Sequence, residues 1–165
     1  MDISDTTAIA SFVILGDVEL VVKAAGELIK KVPEADLIMT AEAKGIPLAE
    51  EMARQLGMDR YVVARKSIKA YMAHPLIVED HSITTKGKQI LCLQDKDIDL
   101  VKGKKVLLVD DVISTGQSIA ALSKLAVMAG AKIAGKAAIL AEGDAIGRED
   151  ITVLGDLPLF PSSKV

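Results

Sequence analysis

The 165 residues of this chain suit one domain with a core large enough to fold unaided. Half the residues are hydrophobic while aromatics make up only 2%, so Val, Ile, Leu, Ala and Met must fill that core, as in a parallel sheet covered on both faces. A net charge of −3 argues against general nucleic-acid binding, the single Cys92 excludes an internal disulfide, and no apolar stretch reaches the length of a membrane span.

The opening residues Met1-Asp2-Ile3-Ser4-Asp5 lack the basic start of a secretory signal, so a cytoplasmic protein is expected. Asp17 can cap a helix running to about Lys31, with apolar residues at helical spacing and Pro33 closing it. Asp36 to Ala41 reads as a buried strand. A helix over 47–56 follows, with Pro47 in its first turn and Gly57 as its stop. Arg60 to Arg65 is the next strand, and the polar segment from Lys66 to Lys88 reads as a long loop or irregular hairpin. His74 and His81 belong there as surface or loop residues, because neither sits in an acid-base or metal-ligand constellation. Gln89 to Leu93 and Lys105 to Asp110 are strands, and Cys92 reads as a buried structural thiol. A helix over about 117–128 ends at Gly130, and strands over 132–141 and 151–154 complete the chain. Strands alternating with helices predict an α/β fold, a single domain over 1–165 with a mostly parallel sheet flanked by helices.

The most informative stretch is Val106-Leu107-Leu108-Val109-Asp110-Asp111-Val112-Ile113-Ser114-Thr115-Gly116-Gln117-Ser118. An apolar strand ends in paired carboxylates, then a turn of small and hydroxyl-bearing residues leads into a helix. Such a turn gathers backbone N–H groups at the positive end of the helix, where a phosphate binds. The upstream acids can meanwhile hydrogen-bond sugar hydroxyls or help to hold a metal ion. Ligands of open parallel sheets bind beyond the carboxyl ends of the strands, and two more segments reach that edge. Glu42-Ala43-Lys44-Gly45 forms a small-residue turn with one cation, and Arg65-Lys66-Ser67-Ile68-Lys69 clusters three cations in five residues. Read alone, the first is as compatible with a solvated connection as with an anion site, and the second with a solvated basic loop.

The string from Val106 to Ser118 resembles the 5-phosphoribosyl-1-pyrophosphate (PRPP) motif of the type I phosphoribosyltransferases, with Ser118 where that family more often has Thr. The likeness extends, at varying strength, over about residues 10–160 and is nearest to the adenine and xanthine enzymes. It implies a purine phosphoribosyltransferase of purine salvage, using Mg²⁺, PRPP and a purine base, with no nucleic-acid or membrane partner and acting as a homodimer. Adenine is the preferred base; xanthine, hypoxanthine and guanine stay open, as does a non-catalytic PRPP sensor of the same fold.

Carried onto this chain, the resemblance makes Asp110 and Asp111 the catalytic acids, holding the ribose hydroxyls and Mg²⁺, the metal through water. Ser114, Thr115, Gly116, Gln117 and Ser118 would take the 5′-phosphate. Glu42, Ala43, Lys44 and Gly45, with Arg65, Lys66 and Lys69, would take pyrophosphate, and Glu42-Ala43 is the candidate for a cis peptide. Ser82, Thr84 and Thr85 would belong to a flexible lid that excludes water. Phe12, Val13 and Leu15 would meet the base, residues 1–16 and 156–165 serving as a small hood; core packing of an N-terminal strand competes for the same residues. A phosphoacceptor receiver domain would need roughly a hundred residues after its acidic pair, and only 54 follow Asp111. No P-loop or dinucleotide fingerprint is present.

Overall fold

A computed structural model of the chain describes residues 7–9, 11–80 and 89–161. Its elements are β1 (Thr7–Ile9), α1 (Val18–Ile29), β2 (Leu37–Ala41), α2 (Ile46–Gln55), β3 (Val62–Ala64), β4 (Leu76–Asp80), β5 (Gln89–Leu93), α3 (Asp95–Val101), β6 (Lys105–Ile113), α4 (Gln117–Met128), β7 (Lys132–Glu142), a 3-10 turn at Gly143–Ala145, β8 (Thr152–Leu157) and β9 (Leu159–Pro161).

The central sheet has five strands in the order β3-β2-β6-β7-β8, every neighbouring pair parallel. Helices cover both faces, so its middle strands are buried on both sides. All five residues of β2 are buried, and Val106 to Val109 of β6 are fully enclosed. Alternation along the strands divides the core in two. Leu37 and Met39 of β2 join Val106 and Leu108 of β6 against Ile119, Leu122 and Leu125 of α4. Ile38, Leu107 and Val109 join the opposite layer with Val21 and Leu28 of α1 and Leu48 and Met52 of α2. Asp17 caps α1 as expected, its carboxylate accepting the Leu20 N–H at 3.0 Å.

Three features differ from the sequence reading. β5 does not enter the main sheet; it pairs antiparallel with β4 as a hairpin, tied to the end of β3 by an Arg65–Cys92 bridge. The segment after Lys66 thus resolves into a loop and a hairpin strand. Helix α3 was not expected. Its acidic residues Asp95 and Asp97 favour a helix N-terminus, but seven residues are too few for a clear apolar stripe. Finally, β1 pairs antiparallel with β9, Ala8 opposite Phe160, which draws the two ends of the described chain together.

Leu108 is fully enclosed at the centre of the sheet. Leu108→Ala should lower unfolding free energy by about 2–5 kcal/mol in urea titrations; a loss below 1 kcal/mol would mean that the layer between β6 and α4 repacks freely.

Candidate active site

Parallel pairing sets the site. Met39 of β2 lies beside Val62 of β3 on one side and Leu108 of β6 on the other, so the three chains leave the sheet at one edge. At that edge Glu42, Ala43 and Lys44, Lys66 and the Asp110-Asp111 pair line a hollow of about 200 Å³, with Leu91 of β5 and Ser118 of α4 among its other walls. A smaller adjoining recess is lined by Asp110 and by Val112, Ser114, Thr115, Gly116 and Ser118. Asp110 belongs to both.

The recess has the construction of an anion cradle. Gly116 adopts a left-handed φ of 80° and starts α4 without any side-chain cap. Among the described residues, no backbone–backbone hydrogen bond outside the regular elements is donated by Ser114, Thr115, Gly116 or Ser118. The Gln117 N–H leans weakly toward Thr115 Oγ1, at 3.4 Å. Several donors therefore point out of the turn at the positive end of a helix.

The Glu42–Gly45 turn is held down from beneath. The Glu42–Ala43 peptide is cis, at the position singled out from the sequence. Gly45 is buried, and a Cβ there would collide with Thr40 Oγ1 and come within 3.2 Å of Asp110 Oδ1. Only glycine allows this backbone to lie against the acidic strand. Thr40, a fully buried polar residue beneath the turn, was missed in the sequence reading; a lone Thr within Leu-Ile-Met-Thr-Ala was its signal.

Glu42 acts on protein groups. Its Oε2 accepts the Lys66 N–H at 2.9 Å, and its Oε1 pairs with Arg65 Nη2 at 3.1 Å. A carboxylate would repel a diphosphate, so its structural work is to fasten the basic segment to the turn. Arg65 keeps a buried Nε with no partner, and Lys69 Nζ donates to Ser67 Oγ at 2.6 Å; neither lines the hollow, whereas Lys44 and Lys66 do.

The paired acids are poised differently. Asp111 is buried, its Oδ2 accepts no hydrogen bond, and its nearest cation is Lys44 Nζ at 3.5 Å, an ion-pair separation. Asp110 Oδ1 accepts the Asp111 N–H at 2.9 Å. Burial, and then the neighbouring Asp111 charge, push the Asp110 carboxyl up to about 7, against the opposing pull of that N–H and of Lys66. An enclosed carboxylate oxygen without a donor, facing a hollow with exposed lysines, suits a cation or hydroxyl ligand. Among the described residues no cluster of three or more His, Cys, Asp or Glu side chains could hold a metal, so a bound cation would depend on water and substrate oxygens for the rest of its shell.

The remaining candidates lie elsewhere. Phe12 is half-buried against the layer of α1 and α2, while Val13 and Leu15 are about half exposed. Ser82, Thr84 and Thr85 lie outside the described residues, as does His81. Cys92 is buried, as expected, its Sγ directed at the Arg65 and Ser67 carbonyls.

Residues 14–155 match the family model of the phosphoribosyl transferase domain, which takes in all of the site segments described above. The chain belongs to the phosphoribosyltransferase family. Within it the chain falls in the purine branch. It is 36% identical over 127 residues to the adenine phosphoribosyltransferase of Rhodococcus jostii (strain RHA1), covering 77% of this chain and 67% of that protein. It is 35% identical to the hypoxanthine/guanine phosphoribosyltransferase of Methanothermococcus okinawensis, covering 72% of this chain but only 59% of that one. The crystal structure of adenine phosphoribosyltransferase from Thermoanaerobacter pseudethanolicus superposes with a TM-score of 0.72 at 25% identity, over 87% of this chain and 84% of the other. The type I phosphoribosyltransferase fold expected from the sequence is thus the fold observed.

Two outcomes follow for this phosphoribosyltransferase site. Gly45→Ala should cost about 1–3 kcal/mol of stability through overpacking. Adding Thr40→Ala should recover part of that loss, because it removes the hydroxyl that a Cβ would strike; no recovery in urea titrations would place the strain elsewhere. The second concerns pH. Because the folded state raises Asp110 from 3.8 to about 7, its contribution is stabilising below the unfolded value and is lost as pH climbs toward 7. In chelator, wild-type stability relative to Asp110→Asn should therefore fall from pH 4 to pH 7, and parallel profiles of urea midpoint would refute the raised value.

Proposed function

We propose that this phosphoribosyltransferase moves the 5-phosphoribosyl group of PRPP onto a ring nitrogen of a purine, adenine by preference, releasing pyrophosphate. One observation carries the reading: an uncapped N–H cradle, an acid pair with Asp111 buried and a lysine-bearing turn border two adjoining hollows, with Asp110 lining both. A sugar phosphate activated at its other end needs those chemistries in that order.

The 5′-phosphate lies against the Ser114–Ser118 turn, with Thr115 and Ser118 hydroxyls beside the main-chain donors. Asp110 and Asp111 accept hydrogen bonds from the ribose hydroxyls. Lys44 and Lys66, with Arg65 and Lys69 behind them, draw the diphosphate toward the Glu42–Gly45 turn. The C1–O bond breaks with positive charge developing on the ribose ring; its electron pair leaves with pyrophosphate, the purine nitrogen supplies the electron pair of the new bond, and the proton that nitrogen carried passes to pyrophosphate or solvent. No protein nucleophile is required. The Asp111 oxygen, which accepts no hydrogen bond and is paired with Lys44 alone, would suit Mg²⁺ held through water, and the metal would neutralise charge on the departing diphosphate. Ser82, Thr84 and Thr85 supply the lid, and Phe12, Val13 and Leu15 face the base, with the β1–β9 pair closing the hood. The chain acts as a cytoplasmic homodimer. No helix among the described residues is long and apolar enough to cross a membrane. Hypoxanthine or guanine is the second reading for the base, supported by the 35%-identical relative of that name.

A panel of adenine, hypoxanthine, guanine and xanthine with PRPP and Mg²⁺, read as pyrophosphate release, tests the proposal. Adenine should give the highest kcat/KM, and Asp110→Asn combined with Asp111→Asn should reduce it at least about 100-fold while the protein stays folded. No pyrophosphate release with any of the four bases would leave a non-catalytic PRPP sensor as the better description.

A further inference from the structure

The cradle has a neighbour that belongs to none of the three segments discussed so far. Arg148 lies in the loop between the 3-10 turn and β8, and a Cβ placed on Gly116 would run into its Nη1. The guanidinium thus stands directly over the glycine that shapes the phosphate turn. Its other two nitrogens are committed: Nε donates to Asp150 Oδ1 and Nη2 to Asp150 Oδ2, both at 2.8 Å. Lys136 of β7 donates to the same Oδ2 at 2.9 Å. Asp150 therefore grips one edge of the guanidinium in a fork and turns the remaining corner toward Gly116.

Surface pairs of this kind add little stability; a two-point fork instead fixes orientation. Arg148 and Lys136 against Asp150 leave one net positive charge beside the turn. Gly116 accordingly serves two needs, a left-handed φ and room for a cation against its α-carbon.

We propose that Arg148, oriented by Asp150 and Lys136, is a positioning residue of the 5′-phosphate site, bracing the Gly116 turn and adding fixed positive charge behind its N–H donors. This deepens the reading of the recess as a PRPP site and rests on it. Arg148 lines neither hollow and meets the site at Gly116 of the phosphate turn, so its effect should be confined to the monoester end.

Calorimetric titration of wild type, Arg148→Ala, Arg148→Lys and Asp150→Asn with ribose 5-phosphate and, separately, with Mg²⁺-pyrophosphate tests this. Arg148→Ala should weaken ribose 5-phosphate about tenfold or more and leave pyrophosphate within twofold. Arg148→Lys, which keeps the charge without the fork, should fall between, as should Asp150→Asn. In turnover, KM for PRPP should rise more than kcat falls. Unchanged ribose 5-phosphate affinity in Arg148→Ala overturns the proposal, and so does an equal loss for both ligands, the mark of general loosening. Wild type that binds ribose 5-phosphate but transfers nothing from PRPP would remove the enzyme reading and leave Arg148 judged by the same ratio. Wild type that binds neither ligand removes both.

Discussion

Everything at this site depends on the Gly45 backbone lying against the acidic strand. β2 and β6 are parallel neighbours in the middle of the sheet, with Thr40 opposite Val109, so the turn after β2 must rise beside Asp110. A side chain at position 45 would fill that gap, displacing Thr40 or lifting the turn away from the carboxylates. With glycine there, Lys44 comes to 3.5 Å from Asp111, and the hollow and the smaller recess adjoin, sharing Asp110, Val112 and Ser118. The cradle at Gly116 repeats the same device: a missing side chain lets another group, here Arg148, close on the backbone.

The distribution of charge follows from that packing. Asp110 is half-buried and Asp111 buried, because β6 runs past the expected end at Asp110 and carries both acids inside the strand, whereas Lys44 and Lys66 are exposed at the rim. Two carboxylates taken partly out of water repel one another, and Asp110 responds by holding its proton more tightly. The site thus stores an unfavourable arrangement that hydroxyl donors or a cation would relieve, while the rim offers charge of the opposite sign to a diphosphate. Glu42 is the exception among the acids. It is spent on Arg65 and Lys66, and so couples the basic segment to the turn without opposing the ligand. A residue placed in the pyrophosphate group by likeness thereby acquires a distinct physical task.

The sheet was legible wherever the sequence carried strong periodicity or punctuation. Leu37 to Met39 and Val106 to Val109 are continuous apolar runs of the kind buried on both faces, and Asp17 and Gly116 mark helix starts by their chemistry. The segment after Lys66 reads as a long loop or irregular hairpin, and Leu76 to Asp80 does pair with Leu93 to Gln89 as a hairpin strand. What escaped was the pairing of β1 with β9 at the far end of the described chain, a partnership that leaves no local trace. Within the site, the acid pair, the phosphate turn and Lys44 could be read from their neighbours in sequence. Thr40 left only the signal of a lone Thr in an apolar strand, and Arg148 left none, since it matters through a glycine thirty-two residues back.

The same distinction explains why the phosphate chemistry is sharply encoded and the choice of base is not. Binding a phosphate or a pentose requires N–H clusters, carboxylates and lysines, which only a few residue types supply. Selecting among purines turns on which backbone group faces one ring edge, and any residue brings an N–H and a carbonyl. Phe12, Val13 and Leu15 can supply apolar surface, but their identities do not name the ring edge above them. Related chains 36% and 35% identical to this one carry adenine and hypoxanthine/guanine names respectively, at similar distance. A choice that turns on backbone direction leaves residue identities free to vary, so relatives with different base names stand at similar distance from this chain.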